Sequence, residues 1–388
     1  MTEQTIFCSK GLIGPNLEPR NNVVLTISDG RIQEIETDSS QKSADLKYPD
    51  QLMVPGFINA HVHIGDSFAK DQGLNLTIQE LVEPPNGLKH RLLNDVSDDL
   101  IIIGIKQSIQ EMISSGTTTF VDFRESGEKG IAVLKNALMH LPIRAIICGR
   151  PFPKMTSLES VLDVSDGIGL SSSNNYSNAE LIKIKTSCNN LKKFICAHVS
   201  ETQEERLMAF KKFGTSDVIR ALNVLGVDIL IHLTWADPSD VQEIAERGKS
   251  VVICPRSNAH LNVGFPPLNL LMKKTILTCL GTDNVMINNL NLFREMEFLF
   301  KTTRKEFGIG LLSSFDILKM VTINPAKALK LNDEIGSLEL NKRADFFLMD
   351  LKAPNLTPFN SVHDALVLRA NPQNIKAVFI GGNIAYEQ

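Results

Sequence analysis

With 388 residues, 43% of them hydrophobic and 22% charged, the chain has the make-up of a folded globular protein too long for one small core. A formal net charge of −4 and a pI near 6.1 argue against a nucleic-acid polyanion as partner, and no run approaches the roughly 18 apolar residues of a membrane span. The six scattered cysteines form no CxxC pair and the N-terminus lacks the basic start and apolar stretch of a signal peptide, so a reducing cytoplasm is expected.

In chain order, residues 1–54 hold strand-like pieces joined at Ser28-Asp29-Gly30-Arg31, a good hairpin turn. From about residue 55, short apolar runs alternate with longer amphipathic ones. Eight runs read as strands: Pro55–His63, Thr118–Glu125, Ile143–Pro151, Asp166–Ser172, Lys193–Glu201, Asp228–Ala236, Ser250–Asn258 and Ile276–Asn284. Most lack polar alternation, as parallel strands buried on both faces do. Helices separate most of them. Ser97-Asp98-Asp99 caps one that runs to Ser115 and stops at Gly116; Asp237-Pro238 opens another that Gly248 closes.

Eight strand–helix repeats predict an α/β fold, a (β/α)8 TIM-like barrel. An open doubly wound sheet competes, but no GxGxxG follows an early strand to support its dinucleotide-binding form. Asn291–Leu331 reads as helical. Strand texture returns in Gly336–Leu340, Ala344–Asp350 and Val378–Ala385, the last with a Gly-Gly-Asn turn. Neither end is long enough for a secure core. The expected division is therefore a barrel over 55–335 and one small β-sandwich domain made from 1–54 and 336–388.

Polar residues close the predicted strands at the end where barrels of this kind carry catalysis. Strand 1 ends in His61 and His63, whose i, i+2 spacing turns both imidazoles the same way. Strand 5 supplies His198 and Glu201, strand 6 His232 and strand 8 Asp283. A single histidine in a strand is usually a core residue, and an aspartate in Gly-Thr-Asp-Asn can be a turn residue. Four of eight histidines at strand ends form a joint pattern. Three of them with one carboxylate make an oxygen- and nitrogen-donor set for a divalent ion such as zinc, iron(II) or manganese, and the lack of thiolates points to an open catalytic site.

Pro55-Gly-Phe-Ile-Asn-Ala-His-Val-His63, Ala197-His-Val-Ser-Glu-Thr202, Ser257-Asn258 before Gly264, and Leu280-Gly-Thr-Asp-Asn284 resemble the amidohydrolase superfamily. The branch most similar is that of cytosine deaminase, S-adenosylhomocysteine deaminase and atrazine chlorohydrolase. Asn324–Leu329 and Ile335–Asp345 are similar to its C-terminal signature. The resemblance covers essentially the whole chain. It implies a metal held by His61, His63, His198 and Asp283, with Asp283 also taking a proton from water. His232 would orient that water, and Glu201, if a turn ends its strand, would protonate a ring nitrogen or leaving group. The bland reading of Glu201 is a helix-capping acid. Two-metal members carry a bridging lysine on strand 4, absent from Asp166–Ser172, so one metal is expected, zinc first.

Lys89, in the long segment Gly65–Asp95 after strand 1, and Arg124, Arg150 and Arg256 at strand ends are candidate substrate contacts, as is His260. Structural pairing with Asp122 or Glu125 is the alternative for the arginines. The expected function is hydrolytic deamination of an aminated N-heterocycle or nucleoside-like small molecule. The alternatives are cyclic amide or amidine hydrolysis, chloride displacement, and, remotely, a non-catalytic scaffold. A homodimer is the usual expectation for such an enzyme.

Overall fold

The alternating pattern resolves into two sheets in a computed structural model that describes residues 3–39, 44–83, 86–151 and 157–388. The smaller sheet takes strands from both ends of the chain. They are β1 (Gln4–Ile13), β2 (Glu18–Ser28), β3 (Arg31–Glu36) and β4 (Leu46–Pro55), joined later by β14, β15 and β16. The larger sheet runs β5 (Phe57–His63), β6 (Thr117–Arg124), β7 (Arg144–Gly149), β8 (Gly167–Leu170), β9 (Phe194–Val199), β10 (Ile229–His232), β11 (Ser250–Ile253), β12 (Thr278–Leu280) and β13 (Asp283–Asn284). Each pairs in parallel with its sequence neighbour through β12, and β13 pairs in parallel with β5.

β12 and β13 are the two halves of the eighth strand, and they close the barrel. Gly281 donates to the Ile253 carbonyl at 3.1 Å and Thr282 to that of His61 at 3.1 Å, so the chain steps from strand 7 to strand 1 in two residues. A Cβ on Gly281 would stand 2.7 Å from His61 Cβ and 2.8 Å from its carbonyl oxygen. Only a residue without a side chain lets strand 8 come this close to strand 1.

All eight expected strands are present, most of them shorter than their apolar runs. Ser97 and Asp237 cap the helices Asp98–Ser114 and Pro238–Glu246 as expected. Outward-facing residues such as Phe120, Ile195 and Leu230 join the helices in the main core. Inward ones, including Ile58, Val121, Phe123, Cys196, Ile231 and Cys279, fill the barrel floor. All six cysteines are buried and free.

The terminal sheet is completed by β14 (Phe346–Asp350), β15 (Ile375–Ile380) and β16 (Asn383–Glu387). Its order is β16-β15-β14-β4-β1-β2-β3, antiparallel except for β1 with β4. This single sheet curls until its two end hairpins meet. The Ala344 N–H donates to the Gly30 carbonyl and that of Gly382 to the Ala344 carbonyl, each at 2.9 Å. Ile6, Val23, Leu25, Met53, Phe346 and Phe379 fill the space enclosed. One expected strand is absent. Gly336–Leu340 makes only an isolated bridge, Leu338 to Ile13, because Gly336 turns the chain at φ +96° against Ala326.

Candidate metal centre and active site

His61 and His63 reach the lumen through a β-bulge. Asn59 pairs with Phe120 and Val62 with Asp122, so Ala60 and His61 together oppose Val121. Ile58 faces the barrel floor, and strict alternation would turn His61 away from it. The extra residue re-aims both imidazoles inward. His198 follows Cys196 on the inner face of β9.

The four expected ligands come together. His61 Nε2 lies 3.2 Å from Asp283 Oδ1, His63 Nε2 lies 3.5 Å from the same oxygen, and His63 Nε2 lies 3.3 Å from His198 Nε2. A tetrahedral ion with bonds of 2.0–2.1 Å separates its ligand atoms by about 3.3 Å. The donor set therefore has the right size.

The tautomers carry the argument further. His63 Nδ1 faces Glu125 Oε1 at 2.9 Å and His198 Nδ1 faces the Leu170 carbonyl at 2.8 Å. Both partners accept only, so both Nδ1 atoms carry the proton. Each Nε2 is then a bare lone pair in the neutral ring. Burial, then the Lys89 charge, pushes the His63 pKa down to about 3, and burial, then the neighbouring His61, holds that of His198 well below its usual value. Two lone pairs facing each other at 3.3 Å repel unless a cation lies between them. Burial by itself would raise the Asp283 pKa, yet the His61 hydrogen bond and the surrounding imidazoles hold it well below the usual carboxylate range. The Nε2 atoms of His63 and His198 and the Asp283 carboxylate are thus in their ligating forms.

Three residues around this cluster adopt left-handed backbone. They are Ser200 at φ +45°, His232 at φ +74° and Asp283 at φ +59°. Such strain persists only where the surroundings enforce it. Asp217 grips Ser200 through both its hydroxyl, at 2.6 Å, and its backbone N–H. The turn swings Glu201 to the side of His198. Thr202 caps the helix Gln203–Phe213, so Glu201 is free of that task. Burial, then the Asp283 charge, raises the Glu201 pKa well above the usual carboxylate range.

Glu201 Oε1 lies 3.5 Å from His232 Nε2, and Glu201, His232 and Asp283 form a second group of converging donors. His232 Nδ1 donates to Asn258 Oδ1 at 2.9 Å, and the Ser257 hydroxyl donates to Asp283 Oδ2 at 2.5 Å. These partners, with Glu125, were not assigned roles from the sequence. Glu125 had a visible signal, as an acid ending a fully buried strand.

A cavity of about 380 Å³ opens over the cluster, lined by His63, His198, Glu201, His232 and Asp283 and walled by Ile78, Gln79 and Val82. Lys89 and Arg150 line it too, but each also meets Glu125, at 2.6 and 3.5 Å. Arg124, Arg256 and His260 are not among the described residues that line it. Arg124 lies buried under Gly65 against Glu125. Arg256 turns to Glu295 and Asn289, and His260 is exposed on the helix Pro255–His260. For these three, structural pairing or surface position replaces the expected substrate contact.

The sequence profile of the Amidohydrolase family matches residues 52–385. The chain belongs to this family. An uncharacterized protein of Methanocaldococcus jannaschii is 37% identical over 346 residues, 87% of this chain and 88% of that one. A 5-methylthioadenosine/S-adenosylhomocysteine deaminase of Thermoanaerobacter pseudethanolicus is 30% identical over 359 residues, 87% of this chain and 82% of its own. Among solved structures, a zinc-bound adenosine deaminase of Xanthomonas campestris superposes with TM-score 0.88 at 21% identity, covering 98% of this chain and 92% of that one. Atrazine chlorohydrolase of Arthrobacter aurescens, complexed with zinc, gives 0.87 at 16%, covering 98% and 94%. As an amidohydrolase, the protein is a hydrolase with a His/Asp metal-binding cluster in its barrel. Among the described residues no helix is long and apolar enough to cross a membrane.

Proposed function

We propose that this amidohydrolase binds one zinc ion and hydrolytically deaminates an aminated N-heterocycle or nucleoside-like small molecule, releasing ammonia. The observation that carries the metal assignment is the pair of facing Nε2 lone pairs of His63 and His198, 3.3 Å apart. His61 and Asp283 complete the set. A divalent ion bound there supplies hydroxide from water near neutral pH. Asp283, held ionised, takes the water's proton at Oδ1 or Oδ2. His232, its Nδ1–H committed to Asn258, presents Nε2 as an acceptor that orients the water. Glu201, its carboxyl pKa raised by burial and the Asp283 charge, delivers a proton to the substrate's ring nitrogen or departing amino group.

The named deaminase relative supports the substrate class, and the cavity has the size of a small-molecule site. The reading places the chemistry in residues 55–335, leaves 1–54 and 336–388 as a structural domain, and puts a homodimer in the cytoplasm. Purified protein tested for ammonia release against amino-heterocycles, nucleosides and lactams, with metal analysis, decides the matter. Ammonia from an amino-heterocycle with one zinc per chain is expected. Turnover of lactams alone, or chloride release alone, would replace deamination by the corresponding hydrolysis. Full turnover without metal would remove the mechanism.

A further inference from the structure

Beneath the cavity, Asp66, Asp122 and Glu125 meet Lys89, Arg124 and Arg150, all buried. Five of these six come from β6 or the segments directly following β5, β6 and β7. Lys89 comes from elsewhere, the helix Leu88–Asp95, which packs with Ile78–Val82 to wall the cavity. Its ammonium reaches Glu125 Oε1 at 2.6 Å and Asp66 Oδ2 at 2.9 Å.

Each of those carboxylates touches the metal cluster's own strands. Glu125 Oε1 accepts from His63 Nδ1 at 2.9 Å. Asp66 Oδ2 accepts from the Asn284 amide at 3.0 Å, on β13 beside Asp283. One ammonium therefore braces partners of both strand 1 and strand 8. A carboxylate that can rotate freely does not fix an imidazole ring; one clamped by a lysine does.

We propose that Lys89 is a positioning residue of the metal centre. Through Glu125 and Asp66 it holds His63 and the β13 strand in register, so that seating of the helix Leu88–Asp95 and metal retention are linked. The inference rests on the metal reading above. Linkage is reciprocal: if a seated Lys89 tightens metal binding, bound metal must stabilise the seat.

The test uses the full-length chain, zinc and a competing chelator. Lys89→Met should weaken zinc binding up to about 10-fold, the lower end of the cost of losing a ligand's direct partner, because Lys89 acts through Glu125. Zinc loading of the wild type should slow amide exchange within Leu88–Asp95, and this protection should vanish in the variant. Because Lys89→Met leaves two buried carboxylates short of a cation, Lys89→Met/Asp66→Asn is measured beside it. The double variant should recover melting temperature but not zinc affinity. A purely structural lysine predicts that both recover, and zinc affinity within twofold of wild type in a folded variant overturns the proposal. So does exchange in the wild-type helix that ignores zinc. A wild-type chain that holds no zinc at all is a separate result, and it overturns the metal reading together with this one.

Discussion

Glu201 shows how a single residue's task follows from its surroundings. Its side chain is only 14% exposed, and Asp283 lies close enough to disfavour a second negative charge. The carboxyl holds its proton more tightly than a surface glutamate does, which suits a proton donor. Glu201→Gln keeps the shape and a hydrogen-bond donor but cannot transfer a proton. Its kcat should fall about 10²- to 10⁴-fold with zinc content unchanged, as read by an ammonia-coupled assay and metal analysis. Loss of zinc in parallel with activity would instead make Glu201 a structural support. Histidines, Glu201 and Asp283 were visible in the sequence because polar groups at the ends of apolar strands stand out. Glu125, Ser257 and Asn258 could be picked out, at a strand end or in a motif, but their partners could not, because a hydrogen-bond partner of a ligand has no spacing of its own and is defined only by the fold. The same limit applies to Arg124 and Arg256: a sequence shows a cation at a strand end, not the carboxylate that claims it.

At the scale of elements, strand count and order were legible because buried parallel strands leave apolar runs that helices separate. The local departures from period two were not. The bulge at Ala60–His61 and the left-handed residues Ser200 and His232 aim the site inward, and each breaks the alternation from which direction is read. Gly336 likewise turned an apparent strand into a bend. Gly281 is the element-level counterpart of the ligands, since strands 8 and 1 touch through the space it leaves. Gly281→Ala should push the eighth strand away from His61 and cost about 1–3 kcal/mol, the usual penalty of overpacking. Because Asp283 follows two residues later, zinc affinity should fall as well. Urea midpoints and chelator competition measure the two effects, and an unchanged affinity would show that β13 is held independently of β12.

For the whole molecule, buried acids set how stability responds to pH. Burial raises the Glu295 pKa from 4.5 to about 7 despite Arg256 alongside, and that of Asp122 to about 6. A group with a raised folded pKa binds more protons folded than unfolded between the two values. Its contribution is fully present below the unfolded pKa and is lost as pH rises through the folded one. Glu295→Gln should therefore match the wild type near pH 4.5 and exceed it above pH 7, by up to about 3 kcal/mol, in denaturation at both pH values. An offset independent of pH would assign the effect to packing.

Metal removal tests the architecture as a unit, because the four proposed ligands come from β5, β9 and β13 and none from the terminal sheet. An ion that binds only the folded chain stabilises it by about 2.7 kcal/mol when present at a hundred times its dissociation constant. Chelation should lower the urea midpoint accordingly. Exchange should quicken at the C-terminal ends of β5, β9 and β13 while the curled sheet of β1–β4 and β14–β16 keeps its protection. Uniform loosening of both sheets would mean that the two unfold as one cooperative body. Equal midpoints with and without chelator would mean that the three strands hold their ends together without help from an ion.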